Sequence, residues 1–214
     1  MSDQCCHVKL NSQSAENYWD ETFASAQTLA WEESDIPWVM DWVLQLNLEK
    51  NARIFCAGVG NSRIVDHLLK AGFTNIVAND ISGVALDTIT KRVNSNDVTY
   101  VQDDLIKGRH LKSLENTVDL YIDRATLHFF TQCEEKDAYF AQMNRLLAPE
   151  GITVIGVFDK NNEPVCCGQQ LQLWSLESLK NRLKEFSFLA EAHETFYESN
   201  GSVRNYIYLQ AQKT

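Results

Sequence analysis

The sequence predicts an α/β fold: a seven-stranded, mostly parallel sheet with one antiparallel strand and helices on both faces. Three observations predict it. Short apolar segments of strand length alternate with apolar residues at helical spacing through the middle of the chain. Turn and cap residues stand at the junctions between them. The last two apolar segments break the alternation and meet around Asn200-Gly201, a hairpin-type dipeptide that places an antiparallel strand at one end of the sheet.

Each element follows in order. Residues 1–14 are polar and are expected to be flexible. Residues 15–50 read as helical, with Trp38, Val39, Trp42, Val43 and Leu46 at helical spacing, and Asn47 with the polar LEKNA stretch ends them. Arg53–Ala57 is the first strand. Asn61 and Ser62 are good cap residues for a helix whose face is Ile64, Val65, Leu68 and Leu69, with Gly72 at its end. Asn75–Asn79 is the second strand, and Val84, Ala85, Ile89 and Val93 mark the helix after it. Val98–Val101 and Val118–Ile122 are the third and fourth strands. Tyr139, Phe140, Met143, Leu146 and Leu147 form a helical stripe closed by Pro149 and Gly151. Ile152–Phe158 is the fifth strand, Leu176–Leu183 a helix, and Phe186–Thr195 with Val203–Gln210 the closing strands. Residues 15–214 are expected to form one domain.

The chain has 214 residues and a net charge of −10. Such an acidic chain is a poor partner for phosphate backbones or anionic lipid, so neither nucleic acid nor membrane is expected as a partner. The opening residues hold no apolar run, and the longest apolar stretch, near Ile152–Phe158, is too short to span a bilayer. The six cysteines match neither a disulfide framework nor a zinc site, which predicts a reduced, cytoplasmic protein without a bound metal.

Ligands of parallel sheets sit outside the carboxyl ends of the strands, which directs attention to the loops after Ala57, Asn79, Val101 and Ile122. The first loop carries Gly58, Val59, Gly60, Asn61 and Ser62. Two glycines let the backbone turn sharply and approach a ligand. Arg63 stands where a nicotinamide fingerprint needs its third glycine, so that pattern fails. Asp80 ends the second strand, placed to accept both hydroxyls of an adenosine ribose; its competing role as a helix cap falls more naturally to Ser82. The third loop holds Asp103 and Asp104, either a solvated turn or an acceptor for an adenine amino group. The fourth strand runs into Asp123 and Arg124, followed by His128 and Phe129. Charges where a strand leaves the core suggest a site, while His128 alone could equally be structural.

In this order and spacing, Gly58-Val59-Gly60-Asn61-Ser62, NIVANDIS with Asp80, Asp104 and IDRATLHFF look like a class I S-adenosylmethionine-dependent methyltransferase, from about Tyr18 to the C-terminus. YWDETFA resembles the opening of one subgroup, the G-x-G-N-S loop resembles lysine methyltransferases acting on elongation factor, and DRATLHFF with EPVCCG resembles bacterial methyltransferases of mostly unassigned substrate. The resemblance implies a Rossmann-like sandwich that binds S-adenosylmethionine. It implies cofactor contacts from Gly58, Val59, Gly60, Asn61, Ser62, Asp80, Ile81, Asp104, Leu105 and Asp123. Trp19, Phe23 and Trp31 become candidates for an aromatic lid near the sulfonium, or are simply packed helix residues. Asp123, Arg124 and His128 become candidates to line the methyl-transfer pocket, with Asp123 and His128 taking the acceptor's proton, or Asp123 and Arg124 holding the cofactor's amino acid end.

Two departures stand out. Cys56 occupies the place of an acid that relatives use near the methionine part of the cofactor, which implies weaker binding or a contact moved to Asp123. HETFYESNGSVRNYIY lacks the threonine-proline step of the bacterial set. Cys166 and Cys167 read as a substrate contact or as a loop of small residues. Three functions follow: a small-molecule methyltransferase first, a protein (lysine) methyltransferase second, and a non-catalytic cofactor-binding subunit third.

Overall fold

A computed structural model describes residues 14–25, 37–197 and 203–214. Five parallel strands form its centre: β1 (Ile54–Ala57), β2 (Ile76–Asp80), β3 (Val98–Gln102), β4 (Val118–Arg124) and β5 (Leu147–Phe158). A two-residue hairpin, β6 (Val165–Cys166) and β7 (Gln169–Gln170), stands apart from the sheet. The last two strands are β8 (Phe186–Tyr197) and β9 (Val203–Lys213). The sheet order is β3-β2-β1-β4-β5-β9-β8. β9 is antiparallel to both β5 and β8, so it alone runs against the rest, as the sequence predicts. From β1 the chain steps outward to β3 and then returns to lay β4 on the other side of β1. Strand order therefore reverses between β1 and β4, where such sheets hold their ligands.

Among the described residues six α-helices cover the sheet: α1 (Ala15–Ser25), α2 (Pro37–Gln45), α3 (Ile64–Lys70), α4 (Gly83–Val93), α5 (Cys133–Leu146) and α6 (Leu176–Arg182). All four residues of β1 are buried, because both faces are covered. Alternation along the strand then sorts the core into two layers. Ile54 and Cys56 face Val43 of α2, Val65 and Leu68 of α3, and Leu86 and Ile89 of α4. Phe55 and Ala57 face Tyr139, Met143 and Leu146 of α5 and Leu179 of α6.

The structure departs from the sequence reading in four places. Of the helical stretch expected over 15–50, residues 26–36 lie outside the described residues, and the helix after them ends at Gln45, short of residue 50. The cap expected at Asn61 or Ser62 falls one residue later, on Arg63, which makes no side-chain cap bond; Ser62 Oγ instead accepts from the Ile64 amide at 3.2 Å. Leu147 begins β5 rather than ending α5, and Pro149–Gly151 lie within an irregular stretch of that strand. The β6–β7 hairpin has no counterpart in the apolar pattern, since its four residues are too few to show a period. The predicted hairpin turn at Asn200-Gly201 lies outside the described residues, although Tyr197 and Val203 on either side are paired. Among the described residues no helix is long and apolar enough to cross a membrane.

Gly156 of β5 shows how tightly the sheet is covered. A Cβ added there would lie 2.3 Å from Cε1 of Tyr208, a ring held by its own hydrogen bond to Arg124. Gly156→Ala is expected to destabilise the fold by about 1–3 kcal/mol through overpacking. Denaturant melts should show a lower midpoint with an unchanged slope.

Candidate active site

The site is built where the carboxyl ends of β1, β2 and β4 meet. Gly58 and Gly60 follow β1 with φ of +53° and +52°, a region that side chains with a Cβ avoid. At Gly58 a Cβ would lie 2.2 Å from Thr126 Oγ1, so glycine is required for space as well. The Thr126 hydroxyl lies 3.2 Å from the carbonyl oxygens of both Ala57 and Gly58, which fixes the start of the loop.

Asp80 holds the loop's other end. Its carboxylate accepts from the Gly60 amide at 2.7 Å and from the Ser82 amide at 2.8 Å. Burial pushes its pKa up to about 6, against the pull of the Ser82, Gly60 and Ile81 amides. The Gly60 and Ser82 amides meet different oxygens, Oδ2 and Oδ1, of a carboxylate able to accept about four hydrogen bonds. Ser82 caps α4, accepting from the Ala85 amide, as the sequence predicts. Ile81 between them is half-buried.

Arg92, in the last turn of α4, completes the frame. Its guanidinium donates to the carbonyls of Asn61 at 3.0 Å and Ser62 at 2.6 Å, and forks onto Asp66 of α3 at 2.7–3.2 Å. Arg92 thus grips the backbone carbonyls of the glycine loop, while Asp80 grips its amide. No motif in the sequence marks Arg92, since its partners are main-chain atoms.

The β3 side is less open than the sequence suggests. Asp104 accepts from the Ile106 amide at 3.1 Å and pairs with Lys107 at 2.7 Å. Leu105 is buried in the α5-side core, so its side chain packs rather than lines the site. Asp103 accepts from the His110 amide at 2.6 Å.

The β4 end requires a correction. Asp123 is completely buried, its carboxylate accepting from Tyr139 Oη at 2.5 Å, the Thr126 amide at 2.9 Å and the Leu127 amide at 3.1 Å. Burial raises its pKa to about 6. His128 is also buried, its ring 4.3 Å from that of Phe158 and 4.7 Å from that of Phe129, with Nδ1 accepting from the Phe158 amide at 3.4 Å. Burial, then the charges of Arg124 and Arg204, lowers its pKa to about 3. Both groups are committed to the protein, and a histidine this hard to protonate is a weak proton acceptor. The proton-accepting roles expected of Asp123 and His128 do not fit these surroundings. Arg124 differs: it lines a cleft with Cys56, Gly58, Val59 and Ser62, donates from Nε to Tyr208 Oη at 3.1 Å, and stacks 4.8 Å above the Tyr206 ring. Burial pushes the Cys56 thiol up to about 12, so it stays neutral.

Helix α1 lies across this edge. The Trp19 ring meets Phe129 edge-on at 4.9 Å, and Phe23 lies 3.2 Å from where a Gly60 Cβ would be. Asp20 accepts from Ser82 Oγ at 2.6 Å and the Val84 amide at 3.3 Å; Gln102 donates to Glu16 at 3.1 Å, and the Tyr18 hydroxyl donates to the Cys167 carbonyl. Phe23 thus stands over the glycine loop and Trp19 packs between it and Phe129, while Trp31 lies outside the described residues. Tyr18, Asp20 and Thr126 were missed as site residues although each sits inside a quoted motif, YWDE or DRAT.

A methyltransferase-domain family model matches residues 55–155, the stretch that carries the glycine loop, Asp80 and Asp123. That stretch is similar to the methyltransferase domain of S-adenosylmethionine-dependent enzymes. The cofactor of such enzymes is S-adenosylmethionine. EEF1A lysine methyltransferase 2 from Danio rerio is 27% identical over 126 residues, covering 55% of this chain and 52% of that protein, so the match spans about half the relative's length. A SAM-dependent methyltransferase from Anabaena variabilis shares the fold at a TM-score of 0.76, with 14% identity and 93% of each chain covered. The 1,6-didemethyltoxoflavin-N1-methyltransferase of Burkholderia thailandensis, solved with its substrate and S-adenosylhomocysteine, aligns at a TM-score of 0.66 and 18% identity over 97% of this chain and 93% of its own.

The residues fit this methyltransferase cofactor. Asp80 keeps acceptor capacity at the strand end, and the loop beside it is free of side chains at two positions. Asp80→Ala removes hydrogen bonds to a charged acceptor worth roughly 1.5–3 kcal/mol each. Affinity for S-adenosylhomocysteine by calorimetry is expected to fall at least about tenfold; an unchanged constant in a folded variant would contradict the assignment.

His128 makes a separate prediction through pH. Its pKa drops from 6.5 to about 3 on folding, so the unfolded chain binds the proton first as pH falls. Its contribution to stability is present above pH 6.5 and is lost as pH falls toward about 3. The parent's stability margin over His128→Gln should shrink across that window in denaturant melts. A margin independent of pH would refute the buried neutral imidazole.

Proposed function

We propose that the protein transfers a methyl group from S-adenosylmethionine to a small-molecule acceptor. The supporting observation is α1, which crosses the carboxyl edge of the sheet and bonds to the end of β3, the loop after β2 and the β6–β7 turn. An edge covered in this way suits an acceptor enclosed with the cofactor better than a polypeptide laid across a groove.

The cofactor supplies an activated methyl group on a sulfonium, and its transfer is an in-line displacement in which positioning dominates. Asp80 holds the ribose hydroxyls and the Gly58–Gly60 backbone admits the cofactor closely. Trp19 and Phe23 exclude water and offer aromatic faces to a cation. Arg124 presents a guanidinium to a carboxylate at the cleft. Since Asp123 and His128 are occupied, the acceptor is one that needs little help in losing a proton, such as a thiolate or an unprotonated ring nitrogen. Localisation in the cytoplasm is part of the same proposal.

A protein acceptor is the second reading, favoured by the similarity to the Danio rerio lysine methyltransferase and by an acidic chain suited to a basic target. Incubation with methyl-labelled cofactor and a cell extract separated by size tests both. Label is expected in small metabolites, dependent on added protein. Label in polypeptide instead would establish the second reading, and cofactor binding without transfer to any fraction would mark a non-catalytic subunit.

A further inference from the structure

Cysteines 166 and 167 close the β6–β7 hairpin, where Cys166 pairs with Gln169 across a turn made by Cys167 and Gly168. Both turn residues have positive φ, +53° and +73°. Two-residue hairpins favour Asn-Gly or Gly-Gly at such positions, because a Cβ is disfavoured there. Cysteine at the first position has no advantage for the turn itself. Neighbouring side chains in an extended strand point to opposite faces. The left-handed backbone at Cys167 cancels that alternation and brings the two Sγ atoms to 3.2 Å. Cys166 packs in the cluster that contains Phe158 and Tyr206, while Cys167 is half-buried.

We propose that Cys166 and Cys167 form a two-thiol chelate for a trivalent metalloid, arsenic(III) or an aryl-substituted arsenic(III) compound. Adjacent sulfur donors select soft centres. Two sulfurs side by side bind a soft centre without calling on the four-ligand shell that zinc takes. A pyramidal trivalent centre needs only two sulfurs at roughly right angles, and the apolar surroundings of Cys166 suit an aryl substituent. The condensation is balanced without an oxidant. Two S–H and two As–OH bonds break, two As–S bonds form, two waters leave, and arsenic stays trivalent. This site is independent of which acceptor the enzyme methylates.

The test uses the full-length chain under a thiol-free reductant, with phenylarsonous acid as probe. Intact mass should show one adduct per chain at equimolar probe, with the mass of the acid less two waters. Alkylation footprinting of the parent should find Cys166 and Cys167 protected together, a readout that needs no variant. Cys166→Ser and Cys167→Ser should each weaken capture by about 100-fold or more, since the second bond becomes unavailable to the tethered arsenic. The double variant Cys5→Ser/Cys6→Ser, which removes the other adjacent pair, should bind as the parent does. Protection of any other cysteines in place of this pair, or a serine variant that captures the probe as tightly as the parent, overturns the proposal.

Discussion

The carboxylate of Asp80 is the joint on which the site depends. Parallel strands end with loop amides that find no partner in the sheet, and a buried amide without an acceptor is costly. Asp80 supplies an acceptor to two of them at once, Gly60 after β1 and Ser82 after β2. The consequences propagate from there. Ser82, held in place, caps α4 and donates to Asp20, which brings α1 onto the edge. The far end of α4 carries Arg92 back to the carbonyls of Asn61 and Ser62. The glycine loop is therefore gripped from both sides, amide by Asp80 and carbonyls by Arg92. A cation near the start of α3 opposes that helix's dipole, and Asp66 in its first turn offsets it.

On the opposite layer Asp123 performs the corresponding task for β4, gathering Thr126, Leu127 and the Tyr139 hydroxyl. Thr126, so positioned, closes the space above Gly58. Both acids sit in low-dielectric surroundings that raise their pKa from 3.8 to about 6. Their folded values lie above their unfolded ones, so the stability they contribute is full below pH 3.8 and is lost as pH rises through about 6. Near neutrality both are ionised at a cost to stability, and the amides they bond recover part of it. That cost is consistent with a site whose chemistry needs fixed loops more than it needs a proton carrier.

The sheet was legible because its strands are buried on both faces and alternate with helices of clear period. Seven strands and the single reversed one follow from that rhythm and from the broken alternation at the end. The placement of Asp80 at a strand end and of the two glycines in a tight turn was legible because residue type and position both mark it. Three kinds of feature were not. Arg92 acts on main-chain carbonyls, which leave no pattern in a sequence. Asp123 reads as a site residue because charges rarely enter a core and His128 is left open, yet Tyr139 and two amides satisfy the first, and the Phe158 amide with two aromatic rings accommodates the second. The β6–β7 hairpin depends on the left-handed backbone of Cys167, a conformation that residue type argues against.

Cys56 can now be placed against its neighbours. Burial raises the pKa of the thiol to about 12, and it lines the same cleft as Arg124. An acid at this position would sit buried next to a guanidinium that already bonds Tyr208 and stacks on Tyr206. It would draw Arg124 out of that arrangement or remain a desolvated charge, and either is unfavourable. With cysteine instead, the cleft wall combines a neutral thiol with a guanidinium. Its polarity is opposite to that of a wall built around an acid. A carboxylate end of a ligand is matched there by charge, whereas an ammonium end has no acid on β1 to meet.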